Sequence, residues 1–252
     1  MHNILITGAG SGIGAGLAME LAHAGDHLLV SDLNLDGAEA VAGRIRAAGG
    51  SAQAVALDVT SERSIASAVD SFSQPVDVLI NNAGMQFVAP LEEFPLPQWE
   101  QLIHVMLTGA VALTRAVLPG MRAQGFGRII NMGSIHSVIA SPFKSAYVAA
   151  KHALVGFSKV IALETANTDI TVNTLCPSYV KTPLVDKQIA DQARVRGMPE
   201  SEVISQIMLK PMPKGVFIGI DELAGVTNFL VSPAARNITG QTIVIDGGWT
   251  VQ

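Results

Sequence analysis

Apolar residues in this chain gather into short, nearly unbroken runs that alternate with longer stretches of mixed polarity. Asn3–Thr7, His27–Ser31, Ala52–Leu57, Val76–Asn81, Arg128–Met132, Ile170–Cys176 and Thr242–Asp246 have the length and branched side chains of strands. Several are almost wholly apolar, as expected of strands covered on both faces. Between them lie segments with helical character at Gly12–Gly25, Asp36–Ala48, Ser61–Phe72, Pro97–Arg122, Ser145–Ala166 and Ile220–Val231. That alternation predicts a doubly wound parallel sheet of the α/β class. The stretch from about Thr182 to Gly219 breaks the rhythm; rich in Gln, Met, Lys and Pro, it reads as a helical flap. No linker, repeat or low-complexity tract divides the chain, so residues 1–252 are expected to form a single domain with a lid at about 182–219.

Composition narrows the function more than the fold. The 252 residues are 49% hydrophobic and only 15% charged, with a net charge of −5. This offers no basic footprint for nucleic acid and no polybasic patch for a membrane surface. No apolar run is expected to reach the ~18 residues of a membrane span, because Arg115, Lys151 and Lys159 interrupt the candidates. A strand starts by Asn3 with no cationic leader ahead of it, and the single cysteine, Cys176, excludes an internal disulfide and argues against a thiolate metal site. A cytoplasmic protein without a metal fits these features.

Three stretches carry chemistry. The first strand runs into Thr7-Gly8-Ala9-Gly10-Ser11-Gly12-Ile13-Gly14, where Ile13 stands in place of the last glycine of the common G-x-G-x-x-G. Glycines 8, 12 and 14 still permit a tight turn, a close backbone approach and a helix N-terminus aimed at a pyrophosphate. Asp32 ends the second strand, where a carboxylate meets the adenosine ribose and repels a 2′-phosphate; no Lys or Arg flanks it, which predicts NAD over NADP. A helix-capping aspartate is the plain alternative. Third, Ser145-Ala146-Tyr147-Val148-Ala149-Ala150-Lys151 reads as helix, so Tyr147 and Lys151 share a face, roughly 6 Å apart along the axis. A cation that near can bring a phenol from ~10 toward neutrality and make it a base, with Ser134 holding the same substrate oxygen. Alone, the pair would also fit a core tyrosine and a snorkelling lysine.

Taken together, Thr7–Gly14, Asp32, Asp58-Val59, Asn81-Asn82-Ala83-Gly84, Ser134, Tyr147, Lys151 and Asp246-Gly247-Gly248, in this order, resemble the short-chain dehydrogenase/reductase family over essentially the whole chain. The resemblance implies a seven-stranded Rossmann-type sheet and hydride transfer between a nicotinamide and a carbinol or carbonyl carbon. It implies Tyr147 as general acid/base, Ser134 as partner of the substrate oxygen, and Lys151 as ribose anchor. The cofactor would also meet Thr7, Gly8, Ser11, Gly12, Ile13, Gly14, Asp58, Val59, Asn82, Ala83, Gly84, Pro177, Val180 and Thr182. Within the family, Asn82–Pro90, Ser134-Ile135-His136, Lys144–His152, Pro183–Ile189 and Asp246–Trp249 look like the D-3-hydroxybutyrate dehydrogenases. That subgroup implies Gln86, His136, Lys144 and Gln188 around a substrate carboxylate and Trp249 at the methyl end. A small anion does need a cation and several donors.

Two positions depart from the family pattern. Met106 stands where an asparagine helps hold a proton-carrying water, and a thioether cannot donate; His104 or Thr108 are the conceivable substitutes. Ser178 follows Pro177 where glycine is usual. Helices around Val105–Leu118 and Ser145–Ala166 are apolar on nearly every face, which predicts burial by further copies of the chain; the resemblance implies a homotetramer. The readings left open are an NAD-dependent hydroxybutyrate dehydrogenase, a dehydrogenase of another secondary alcohol or a 3-oxoacyl substrate, and a weakly active or non-catalytic NAD-binding member.

Overall fold

The computed structural model describes residues 2–22 and 25–251. Seven strands form one sheet: Asn3–Thr7 (β1), His27–Asp32 (β2), Ser51–Ala56 (β3), Val78–Asn81 (β4), Phe126–Met132 (β5), Asp169–Pro177 (β6) and Thr242–Ile245 (β7). Their order is β3-β2-β1-β4-β5-β6-β7 and every pairing is parallel. The helices are Gly12–Glu20 (α1), Leu35–Ala47 (α2), Glu62–Asp70 (α3), Leu96–Ile103 (α4), Gly109–Gln124 (α5), Ser145–Glu164 (α6), Pro183–Arg196 (α7), the short Glu200–Glu202 (α8) and Ile220–Val231 (α9).

Successive strand residues face opposite sides of a sheet, and here both sides are covered. Ile4, Ile6, Leu28 and Val30 point into a cluster with α1, α2 and α9. Leu5, Leu29, Leu79 and Val172 point the other way, against α3 and α5. Polar residues do not interrupt those strands because neither face meets water. The chain winds outward from β1 in one direction and from β4 in the other, which leaves a crevice beyond their carboxyl ends. The site lies there.

Most expected elements are present, with ends shifted by a few residues. The exceptions have local causes. The expected helix Gly12–Gly25 ends at Glu20, with Leu21 as its cap; residues 23 and 24 of that expectation lie outside the described part of the chain. The expected helix Pro97–Arg122 is broken into α4 and α5 by a π turn at His104–Thr108. Such a turn inserts an extra residue and re-aims the side chains that follow. Against the sequence expectation, Leu96–Gln124 and Ser145–Glu164 are each long and apolar enough to cross a membrane, by length and composition. In the fold they cover the sheet, where Leu113, Val117 and Met121 are buried.

Candidate active site

The glycine-rich loop is tied down from β4. The Thr7 hydroxyl accepts from the backbone N–H groups of Asn82, at 3.0 Å, and Ala83, at 2.9 Å. The Asn82 amide donates back to the carbonyls of Thr7 (2.8 Å) and Gly8 (3.1 Å). Gly8 and Gly12 sit at φ +62° and +57°, where a side chain would be strained. A Cβ on Gly14 would lie 2.5 Å from both the Asn82 amide and the Gly8 carbonyl oxygen. Ser11 caps α1 by its backbone conformation alone, so its hydroxyl leaves the first N–H groups of the helix unsatisfied. Beside Gly12 the nearest atom a Cβ would meet is Thr182 Cβ, at 3.9 Å, so the glycine keeps open a cleft between the loop and Thr182. These residues fit the pyrophosphate of a dinucleotide.

Asp32 does not cap α2; Asn34 does, accepting from the Gly37 N–H. Its carboxylate instead receives Gly10 N–H at 2.8 Å and Asn34 N–H at 2.9 Å, which fixes it at the mouth of the loop. The first lysine or arginine in the chain is Arg44. Asp58 holds the Thr60 hydroxyl at 2.7 Å through one oxygen, and Val59 packs where Gly109 lets α5 come close.

Ser134 ends the next loop, directly after Gly133, whose Cβ would stand 2.5 Å from the Cys176 thiol. Its hydroxyl caps the turn Ile135–Ser137 and lines the same cavity as Tyr147. Tyr147 and Lys151 do share one face of α6, with the ammonium 5.6 Å from the ring centre. The expected electrostatics differ, however. Burial pushes the Tyr147 phenol up, with the Ser134 hydroxyl pulling the other way. Lys151 gives its ammonium to the Met132 carbonyl at 2.6 Å and is itself lowered by burial to about 8. Desolvation acts against both charged forms and is the largest cause of each shift.

Of the residues expected around a carboxylate, His136, Lys144 and Gln188 line one hollow, whereas Gln86 and Trp249 are not part of its lining. A cavity of about 70 Å³ is lined by Ser134, His136, Lys144, Tyr147, Tyr179 and Gln188, among others. Lys144 is 2% exposed; its ammonium meets Gln188 Oε1 at 3.3 Å and the Tyr179 ring at 5.4 Å, and no carboxylate among the described residues pairs with it. Burial, then the neighbouring Arg196, lowers it to about 8. Gln86 is buried with both amide atoms unbonded. Trp249 stacks on Tyr179 at 5.9 Å and presents itself edge-on to His136 at 6.3 Å. His136 is already paired at both ring nitrogens, 3.4 Å from Ser134 Oγ and 2.7 Å from Ser141 Oγ. Just before Lys144, Phe143 holds φ at +69°, a conformation costing a bulky residue about 1–3 kcal/mol.

Val180 is bridged to Ile218, and Thr182 caps α7 through its hydroxyl, so the segment that begins with α7 is anchored at the cavity rim. Ser178 is compatible with its place: its φ is not positive, and its hydroxyl reaches the Met212 sulfur. Met106 is 2% exposed in an apolar cluster, whereas His104 and Thr108 are exposed, so neither takes its place in the site. Sequence reasoning missed Tyr179, Gln192 and Arg196. Arg196 Nε bonds Gln192 Oε1 at 3.3 Å, and both groups lie close enough to shift the Tyr179 phenol. The four-residue spacing of Gln188, Gln192 and Arg196 on α7 was the available signal.

A profile of the short chain dehydrogenase family matches residues 2–193. Over 254 residues, 98% of each chain, the sequence is 43% identical to a D-beta-hydroxybutyrate dehydrogenase of Rhizobium meliloti. It is 42% identical to another of that name from Cupriavidus necator, over 98% of this chain and 97% of the relative. Among solved structures, a gluconate 5-dehydrogenase from Burkholderia cenocepacia, in complex with NADP and tartrate, superposes with a TM-score of 0.90 at 35% identity, covering 100% of this chain and 96% of that one.

Proposed function

This chain belongs to the short-chain dehydrogenase family, and from that premise we propose that it interconverts (R)-3-hydroxybutyrate and acetoacetate with NAD. The observation that carries the reading is Lys144, a buried cation with no carboxylate partner among the described residues, in the cavity that holds Ser134 and Tyr147. An uncompensated buried charge is costly, and a substrate carboxylate is the group that would compensate it. Gln188 and the unbonded amide of Gln86 supply further hydrogen bonds. The small volume favours a compact acid over a long acyl chain.

A bound nicotinamide supplies the hydride acceptor for this chemistry. Tyr147 takes the substrate hydroxyl proton during oxidation, and returns one during reduction, while the Ser134 hydroxyl steadies the same oxygen. Lys151 holds the cofactor ribose. Asp32, with no cation nearby in sequence, supports NAD by repelling a 2′-phosphate. Because Lys144 must be protonated to grip a carboxylate, affinity should weaken as pH rises through about 8. The α5–α6 surface supports assembly into a tetramer: Leu163 is 79% exposed and Val160 53% exposed, beside a groove formed by Val111, Leu118, Phe157 and Ile161. Sedimentation as a monomer at micromolar concentration would remove that part.

The test is a turnover screen with NAD and with NADP, over short 3-hydroxy acids in both enantiomers and over neutral alcohols and polyols. Preference for the (R)-3-hydroxy acid with NAD is expected. Faster turnover of a neutral alcohol would refute the carboxylate reading.

A further inference from the structure

Tyr147 has two unlike surroundings. On one side its ring packs against the apolar cluster that contains Ala89, Phe94, Leu102, Met106 and Ala146. The Met106 thioether cannot donate a proton, and the polar neighbours His104 and Thr108 are turned outward. The Lys151 ammonium is held by the Met132 carbonyl. No chain of polar side chains leads out on that side among the described residues.

On the other side one does. The Ser134 hydroxyl lines the same cavity as Tyr147, pulls its phenol down against the effect of burial, and lies 3.4 Å from His136 Nδ1. His136 Nε2 lies 2.7 Å from the hydroxyl of Ser141, which is only partly buried. The His136 backbone N–H also donates to Ser134 Oγ at 3.2 Å, which occupies a lone pair there and leaves the hydroxyl proton free to point at Nδ1. The imidazole is held edge-on to Tyr147 at 6.0 Å and Trp249 at 6.3 Å.

We propose that protons leave and enter the reaction centre along Tyr147, Ser134, His136 and Ser141, with Ser141 as the exit to solvent. The proposal rests on the reading of Tyr147 as the acid/base group of a dehydrogenase. In oxidation the phenol, having taken the substrate hydroxyl proton, donates to Ser134 Oγ once the product oxygen has left that hydroxyl. Ser134 passes its own proton to His136 Nδ1, the Nε2–H bond breaks toward Ser141, and Ser141 releases a proton to water. One proton moves from phenol to solvent and no electrons are transferred. The two hydroxyls rotate back and, once the product has left, the imidazole gives its Nδ1 proton to water and takes one from water at Nε2, which restores the starting tautomer; reduction runs the same path inward. Burial, then Lys144 and His152, hold His136 down to about 3, so the ring relays as a neutral imidazole and does not store the proton.

The experiment compares Ser141→Ala and Ser141→Thr with the unaltered chain, on whichever hydroxy acid is turned over. For Ser141→Ala, kcat for oxidation should fall about tenfold with KM little changed. The solvent deuterium isotope effect should grow, and added imidazole should restore rate in proportion to its concentration. Ser141→Thr, which keeps the hydroxyl, should retain the rate. Unchanged kcat in Ser141→Ala, or a loss that imidazole does not repair, overturns the relay. A second readout needs no substrate: nitrogen NMR of the intact chain should show His136 neutral and protonated at Nε2 from roughly pH 5 to 9. An imidazolium at about pH 6, or the other tautomer, overturns the relay too. Failure of every hydroxy acid in the screen would instead refute the proposed reaction and leave the NMR result to judge the wire.

Discussion

Replacing Lys144 with methionine, of similar length but uncharged, should make the chain more stable and a poorer binder of its substrate. The ammonium is 2% exposed and has one hydrogen bond, to Gln188 Oε1 at 3.3 Å. Burial and Arg196 bring its pKa from 10.5 to about 8, a difference that disfavours the charged form by roughly 3 kcal/mol. The folded value lies below the unfolded one, so between the two the unfolded chain binds more protons and stability rises with pH. The penalty is therefore whole below pH 8, shrinks through the interval and is gone above 10.5. Losing the Gln188 bond costs about 1 kcal/mol. The net gain at neutral pH is then roughly 2 kcal/mol, or about 4–8 °C in Tm for a chain of this size. Urea unfolding of both chains at neutral pH and again above the unfolded value isolates the effect, because Lys151 contributes equally to each. KM for the hydroxy acid should rise about 10- to 100-fold, the worth of a hydrogen bond to a charged group. A Lys144→Met chain less stable at neutral pH, or a stability gap that ignores pH, would refute the reasoning.

Three further outcomes follow from the geometry. Only two tyrosines are present, and burial pushes Tyr147 up and Tyr179 up to about 12; ultraviolet titration of a cofactor-free Tyr179→Phe chain should show no phenolate until above pH 10, and a signal near neutrality would contradict the burial argument. Gly14→Ala places a methyl 2.5 Å from the Asn82 amide and the Gly8 carbonyl, so it should destabilise by about 1–3 kcal/mol and weaken dinucleotide binding, read by thermal shift and calorimetry. Asp32→Ala combined with Leu33→Arg should raise the NADP-to-NAD ratio of kcat/KM by about a hundredfold, and an unmoved ratio would show that Asp32 does not set the preference.

The sheet was legible because strands covered on both faces must be apolar throughout, and Ile4-Leu5-Ile6 could hardly be otherwise. The loop at Thr7–Gly14 was legible because positive φ at Gly8 and Gly12, and the lack of room at Gly14, select glycine. The break in the helix between Ile103 and Gly109 was not, since a π turn changes hydrogen-bond register without requiring any particular residue. Nor was the direction of the Tyr147 shift. Spacing along α6 placed a cation near a phenol, but how dry both would be depends on the lid and on β5, which helical spacing cannot report. Residues such as Tyr179 and Arg196 reach the site only through the lid's packing.

Desolvation is the first cause of the shift at Tyr147, Lys144, Lys151 and His136 alike. The fold therefore disfavours charge at the reaction centre, and two packed faces of the sheet offset the cost of keeping these groups dry. In such a place the ligand decides the protonation state. A carboxylate entering beside Lys144 raises that lysine's pKa and holds the ammonium charged, whereas a neutral alcohol gives it no reason to be charged above about pH 8. The same dryness keeps His136 neutral, which leaves a Nδ1 able to accept from Ser134 and a Nε2–H able to donate to Ser141. On the proposed reading, selection of an acid and conduction of a proton would share one physical origin, the burial of these groups from water. A change that wets the cavity without touching any of these side chains should weaken both together.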